Sequence, residues 1–160
     1  MSRQVLTTQA SPAIDAWVGL LRAHAAVTRE LSGELVAAHG LTINDYEAML
    51  HLSRADEGAM RRVDLAERLL LTPSGVTRLL DGLERAGWVT KGSCSTDARV
   101  TYAVLTDEGR EKLRVASRSH LAQIQALFEG RLSDGELAGL ADLLGRLHES
   151  GAAADSDCAP

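Results

Sequence analysis

Small and polar side chains lie along one face of the segment 73–86, where they could meet the phosphates and base edges of a nucleic acid. Ser74 and Gly75 are small enough for close approach, and Thr77 and Arg78 offer a hydroxyl and a guanidinium as hydrogen-bond donors. The N-terminus of a helix adds partial positive charge and N–H groups that favour a phosphate. This combination predicts a recognition helix whose first turns enter the major groove of DNA.

Charge is unevenly distributed along the 160 residues. The formal net charge is −5. The segment 61–101 nevertheless holds seven basic and five acidic side chains, a surplus of two positive charges that leaves −7 for the rest. A mildly basic middle in an acidic chain is compatible with DNA binding, because the local field steers the phosphates.

The elements that must position this face are predicted to be mostly helical. Apolar residues recur at helical spacing from residue 12 to 39, with Ser11 as the N-cap and Gly40 ending the helix. Thr42 caps a second helix that ends near Arg54, and a turn at 55–58 follows. The third helix is short, with the apolar set Val63, Leu65, Ala66, Leu69 and Leu70.

The fourth helix is predicted to begin with Thr72 as its N-cap and Pro73 as its first helical residue. It should end at Gly87, in the left-handed conformation. The pattern then changes to two short strands, 88–91 and 100–105, joined as a hairpin. Thr106 caps a fifth helix. A capping box of Ser133 and Glu136 begins a sixth, whose leucines form a helix–helix seam: Leu137, Leu140, Leu144 and Leu147.

The predicted fold class is mainly α, a winged helix-turn-helix with a two-stranded β wing. A first helix of roughly 40 Å is too long for a small lobe to cover, so part of it, like the leucine seam of the sixth helix, is expected to pack on another chain as a dimerisation region. The predicted divisions are a disordered arm at 1–11, dimerisation helices at 12–40 and 106–149, a DNA-binding region at 41–105 and a disordered tail at 150–160.

Three segments resemble the MarR family of bacterial transcription regulators: LTINDYEAMLHLS, VDLAERLLLTPSGVTRLLDGLERAGWV and TDARVTYAVLTDEGREKL. The similarity covers about residues 12 to 149. It implies a homodimer that reads a pseudo-palindromic operator, with Ser74, Thr77 and Arg78 as recognition-helix contacts. Members are commonly repressors released by small aromatic or phenolic ligands or by oxidation.

The resemblance also implies a DNA-binding wing. Asp97 and Arg99 match the Asp-x-Arg of the family's wing, where the acid orients the arginine toward DNA. Many relatives carry arginine where this chain has Ala98, and often where it has Lys91. Both changes weaken planar, bidentate contacts, so Lys91 is retained as a contact of reduced strength.

The resemblance further implies a small-molecule site between the dimerisation helices and the winged lobe. Trp17 is suited to stack on an aromatic ring, Arg22 to pair with a carboxylate, and His24 and Tyr46 to complete the lining. The alternative is that Trp17 packs in the core or a dimer interface while Arg22 lies on the surface.

Other chemistries find little support in the sequence. There is no nucleophile-elbow motif, phosphate-cradling glycine loop or zinc-protease pair, so no catalytic residue and no cofactor are predicted. The five histidines are too scattered for a metal site, and Cys94 has no resolving cysteine nearby. No apolar stretch suits a membrane span or signal peptide, so a cytoplasmic location and no membrane partner are expected.

These observations predict a sequence-specific, dimeric DNA-binding transcription regulator, a repressor relieved by a small aromatic or phenolic ligand. Its expected partners are double-stranded DNA, a second copy of the chain and the effector. The net acidity and Ala98 leave open a protein-interaction scaffold that does not bind DNA. A ligand-carrying protein without a regulatory role is a third possibility.

Overall fold

A computed structural model describes residues 11–93 and 100–148. The described residues form six α-helices and three β-strands: α1 Pro12–His39, α2 Ile43–Arg54, β1 Ala59–Arg61, α3 Arg62–Arg68, α4 Pro73–Arg85, β2 Val89–Ser93, β3 Thr101–Leu105, α5 Asp107–Glu129 and α6 Asp134–His148. A single 3-10 turn, Asp56–Gly58, precedes β1. The predicted fold class, a mainly helical protein with a winged helix-turn-helix, is confirmed.

Three of the six described helices begin at the threonine caps that the sequence predicts. Thr42, Thr72 and Thr106 each accept a hydrogen bond from the backbone N–H three residues ahead. Gly40, at φ +65°, ends α1 in the left-handed conformation. Ser11 is the N-cap residue of α1, as predicted, but its side chain makes no capping hydrogen bond. At the start of α6 the Ser133 N–H and hydroxyl both donate to the Glu136 carboxylate, so the predicted capping box forms only from the glutamate side.

The wing belongs to a three-stranded antiparallel sheet in the order β1–β3–β2. β2 and β3 form the expected hairpin, with Val89 opposite Leu105. The third strand, β1, pairs Met60 with Ala103 and was missed in the sequence, where no strand was predicted after the 55–58 turn. β1 anchors the wing to the N-terminus of α3, which follows it directly.

The hydrophobic core draws on the end of α1, the winged lobe and the first half of α5. Its largest fully buried side chains are mostly leucine, as expected for a chain with 3% aromatic residues: Leu35, Leu41, Met49, Leu52, Leu65, Leu80 and Leu83. Leu113 and Ala116 of α5 pack into the same cluster. The winged lobe, α1 and α5 therefore share one hydrophobic core. The division of the chain into domains remains a prediction.

The end of α4 is fixed directly to the start of α5. The Thr106 hydroxyl donates to the Gly87 carbonyl at 2.8 Å, and the Thr106 N–H donates to the Trp88 carbonyl at 3.1 Å. Gly109 allows this approach, because a Cβ there would collide with the Trp88 carbonyl oxygen. A movement of α5 would thus be transmitted to the helix that carries the predicted DNA contacts.

The third helix departs from its predicted apolar set. α3 ends at Arg68, and Leu65, Ala66 and Leu69 are buried as expected. Leu69 and Leu70 were wrongly placed within the helix, and Val63 and Leu70 point away from the core, with side chains 56% and 92% exposed.

Candidate nucleic-acid interface

α4 presents a polar face to solvent because its apolar face is held in the core. Val76, Leu80 and Leu83 are buried. The opposite side of the helix, starting at its N-terminal turn, carries the predicted recognition residues. This division is the amphipathic arrangement that a recognition helix requires, with one face for the lobe and the other for a groove.

The first turn of α4 is organised around its cap. The Thr72 Oγ1 atom accepts from the Gly75 N–H at 3.1 Å and lies 3.2 Å from the Ser74 Oγ atom. Ser74 is exposed and Gly75 is half-buried. The Gly75 N–H is therefore used by the cap, and a phosphate at this helix end would meet the remaining first-turn donors and the Ser74 hydroxyl.

Thr77 and Arg78 lie one turn further along α4, and both are exposed. The Thr77 hydroxyl donates to the Pro73 carbonyl at 2.8 Å, which fixes its rotamer and leaves its oxygen available as an acceptor. Arg78 makes no hydrogen bond or ion pair with any described residue. Its guanidinium is a free cation with five donors on the exposed face of the helix.

Lys91, predicted as a wing contact, is engaged within the lobe. Its Nζ atom lies 3.0 Å from the Glu84 Oε2 atom of α4, and its side chain is 55% exposed. The pair joins the first strand of the wing to the last turns of the recognition helix. Its role at DNA remains a prediction, and the geometry adds a role in holding β2 against α4.

The tip of the wing lies outside the described residues. Asp97 and Arg99, the predicted Asp-x-Arg pair, fall there together with Ala98 and Cys94. Ser93, the last residue of β2, is paired with Thr101, the first residue of β3, so the described chain breaks off and resumes at the same end of the sheet.

Comparison with known proteins identifies the arrangement. A family model described as MarR family matches residues 39–100. The chain is 32% identical over 113 residues to the transcriptional repressor YetL of Bacillus subtilis, covering 71% of this chain and 67% of YetL. It is also 30% identical to the crystal structure of AbsC, a MarR family transcriptional regulator from Streptomyces coelicolor, with a TM-score of 0.76 and coverage of 93% and 97%. The chain belongs to the MarR family.

A second Streptomyces coelicolor MarR-family regulator, crystallised in complex with DNA, has the same fold. Its TM-score is 0.80 at 23% identity, with 92% of each chain covered. The family and these relatives are transcription regulators, not enzymes, so this MarR-family chain is a DNA-binding transcription regulator.

The four predicted ligand residues are not brought together by direct contacts. Trp17, Arg22 and His24 are exposed on the N-terminal half of α1, and Trp17 is 56% exposed. Tyr46 is buried against α5. No hydrogen bond, ion pair or ring contact joins these four residues to one another within the described chain, and the predicted pocket stays a prediction.

A separate cleft of about 350 Å³ lies between α1 and α5. An ion pair between Glu30 and Arg131, 3.1 Å from Oε2 to Nη2, spans the two helices at this cleft. None of the four predicted ligand residues lines it; its walls include Leu31, Glu34, Gln123 and Leu127.

His120 of α5 is a buried histidine that faces α2. It is 4% exposed, and its ring meets the Tyr46 ring edge-on, with centroids 4.6 Å apart. The Tyr46 hydroxyl lies 3.1 Å from the Ser117 Oγ atom, which completes a polar contact between α2 and α5. Burial lowers the pKa of His120, and its Nδ1 atom has no hydrogen-bond partner among the described residues.

The described residues show neither a metal-binding cluster nor a membrane-spanning helix. They contain no group of three or more His, Cys, Asp or Glu side chains that could hold a metal ion. No helix in residues 11–93 or 100–148 has the length and apolar character that crossing a membrane demands.

Proposed function

We propose that this chain is a homodimeric, sequence-specific repressor that reads a pseudo-palindromic operator through α4 and the wing. The observation that carries the proposal is the exposed face of α4, where Ser74, Thr77 and the unpaired Arg78 stand together. Small residues, hydroxyls and a free guanidinium at the start of a recognition helix suit base edges and phosphates. Asp97 and Arg99 are proposed as the wing's contacts, on the resemblance alone.

The dimer part of the proposal is supported by the apolar surface of the end helices. Ile14, Trp17 and Leu21 on α1 are between 48% and 56% exposed, and Leu143 and Leu147 on α6 are 57% and 70% exposed. Clustered apolar surface of this kind is typical of an interface. A second copy covering these faces would also set the separation of the two α4 helices, which must match half-sites about 34–36 Å apart.

A duplex selected by the full-length protein from random oligonucleotides tests the DNA-binding part. We expect Arg78→Ala to weaken binding by roughly ten- to a hundredfold, the cost of one good base or phosphate contact. Arg118→Ala is the matched control, because Arg118 is an exposed arginine on α5 and is not among the predicted DNA contacts. Equal affinity of the Arg78 and Arg118 variants would contradict the assignment of α4.

Salt dependence separates this function from a scaffold that does not bind DNA. A protein that neutralises several phosphates releases counterions, so affinity should fall steeply between about 50 and 200 mM salt. A scaffold would show no duplex affinity at the lower salt concentration. That result would reject the regulator and favour the alternative.

The repressor is proposed to release DNA when a small aromatic or phenolic ligand binds near Trp17, Arg22, His24 and Tyr46. Trp17 is the reporter for this step, because Trp88→Phe would leave it as the only tryptophan. Titration with 2-hydroxybenzoate should quench its fluorescence and weaken operator binding together. A flat titration with unchanged operator affinity would count against a site for this class of ligand.

A further inference from the structure

The turn between α3 and α4 contains a leucine in a conformation that normally favours glycine. The Leu71 N–H donates to the Ala66 carbonyl at 2.9 Å and the Leu70 N–H to the Glu67 carbonyl at 3.1 Å. This pair of bonds is a Schellman motif, in which the residue after the C-cap is left-handed. That residue is Leu70, at φ +52°. Its Cβ brings a steric cost that glycine would avoid.

The same motif ends α4 without that cost. There the Trp88 N–H donates to the Leu83 carbonyl and the Gly87 N–H to the Glu84 carbonyl, both at 3.0 Å. Gly87 takes the left-handed position at φ +76°. The hydrogen bonds of the α3 turn therefore do not require a leucine at position 70.

Packing within the chain does not explain Leu70 either. Its side chain is 92% exposed, so burial does not offset the strain of its backbone. It lies instead along an open, largely apolar groove of about 730 Å³. We call this the α3–α4 groove; its walls include Arg62, Val63, Leu70, Leu71, Pro73 and Thr77. A strained, exposed apolar residue is best explained by a contact outside the chain.

The α3–α4 groove is continuous with the proposed DNA-reading face. Pro73 and Thr77 form its α4 wall, and Thr77 is one of the predicted contacts. Arg62, on the α3 wall, makes no ion pair with a described residue and can offer a positive charge near a phosphate. A recognition helix enters the major groove, where the apolar group presented by the bases is the thymine 5-methyl.

We propose that Leu70 packs against a thymine 5-methyl group at the edge of each operator half-site and so determines specificity there. This inference rests on the proposed function, since it assumes that the N-terminal end of α4 enters the major groove. The proposal explains the steric strain at Leu70 by a contact that the side chain makes only with DNA. The contact adds an apolar element to an interface otherwise made of hydroxyls and guanidinium groups.

Replacing each thymine of the selected duplex by uracil, one position at a time, removes only the methyl group. For the wild-type protein, one position in each half-site should lose about three- to fivefold in affinity, the effect of one buried methyl. Leu70→Gly should bind the thymine duplex about tenfold more weakly and be insensitive to uracil at that position. Leu70→Met, which keeps an apolar side chain, should retain both affinity and uracil sensitivity.

The melting temperature tests the backbone strain at Leu70 independently of DNA binding. Leu70→Gly should melt roughly 2–4 °C higher than the wild type, because glycine relieves the left-handed turn. Glu57→Gly is the matched control, because Glu57 is also left-handed, at φ +53°, and does not line the groove. It too should melt higher, but it should keep the wild-type response to uracil.

The outcomes distinguish this inference from the function on which it rests. If the wild type binds no duplex, both fail. If it binds and Arg78→Ala weakens binding, but Leu70→Gly binds like the wild type or keeps its uracil sensitivity, only the thymine contact is overturned. A groove used by a protein partner would give that second result.

Discussion

At the scale of single residues, Tyr46 and His120 form the contact between α2 and α5. The phenol and imidazole are buried together, which couples the lobe to a helix of the proposed dimer region. Tyr46 was predicted to line a ligand pocket, and its hydroxyl is engaged with Ser117. A ligand reaching Tyr46 would have to displace this polar contact, so binding there would disturb the α2–α5 junction.

The burial of His120 predicts a pH-dependent stability. Its pKa is lowered from the ordinary value near 6.5 because the charged imidazolium would lose its hydration. The unfolded chain therefore takes up this proton at a higher pH than the folded chain does. The free energy of unfolding should be highest above about pH 6.5 and should decrease as the pH falls toward the lowered pKa.

Urea unfolding from pH 7.5 to 5 measures this effect. His120→Gln, which cannot titrate, should show a smaller loss of stability over this range. The free energy of unfolding should still decrease somewhat with falling pH in this variant, because His51 also titrates. The pKa of His51 is lowered by burial and, to a smaller extent, by the charge of Arg68. A decrease equal to that of the wild type would show that His120 does not drive the pH dependence.

At the scale of elements, the start of α4 depends on one side chain. The Thr72 Oγ1 atom is the acceptor for the Gly75 N–H, and the cap fixes the entry of the chain into the recognition helix. Thr72→Ala should reduce the free energy of unfolding by about 1 kcal/mol. That corresponds to a fall in melting temperature of roughly 2–4 °C.

Thr72→Ser is the control for this prediction, because it keeps the oxygen that accepts the hydrogen bond. We expect it to retain most of the stability that the alanine variant loses, as measured by thermal unfolding followed by circular dichroism. Equal losses in the two variants would point to the threonine methyl, not the cap, as the stabilising group.

The wing is held by contacts between elements as well as by its own hairpin. β1 covers one edge of β3, and the ion pair between Lys91 and Glu84 joins β2 to α4. An exposed pair of this kind contributes little to stability, on the order of 0–1 kcal/mol. Its significance is geometric, since it joins β2 of the wing to the end of the recognition helix.

At the scale of the whole molecule, α6 exposes a row of leucines. On α6 the side chains of Leu140, Leu143, Leu144 and Leu147 are between 36% and 70% exposed. Under the proposed dimer these residues become buried against a second copy. The same association would place two α4 helices on one face of the assembly.

Leu144→Glu tests this arrangement. A carboxylate buried without a partner in an apolar interface is strongly unfavourable, so we expect the variant to shift from dimer to monomer. Light scattering coupled to size-exclusion chromatography measures the mass directly. Leu144→Met, which keeps the apolar character, should remain dimeric, and a monomeric wild type would reject the proposed dimer outright.

The helices and their ends could be read from the sequence because they depend on nearby residues. Periodic leucines, threonine caps and left-handed glycines act within one or two turns, so residues such as Thr42 and Gly87 were placed correctly. The exposed face of α4 followed from the same periodicity, since burial of one side of a helix determines what the other side presents.

Only the tertiary structure decided the contacts between residues distant in the chain. β1 is three residues long and acquires its identity by pairing with β3, which lies more than 40 positions away. The burial of His120, the ion pair of Lys91 and the exposure of Leu70 depend likewise on which elements meet. The sequence by itself determined the local elements and the family, because capping and periodicity are short-range; packing determined which side chains are buried, paired or left exposed.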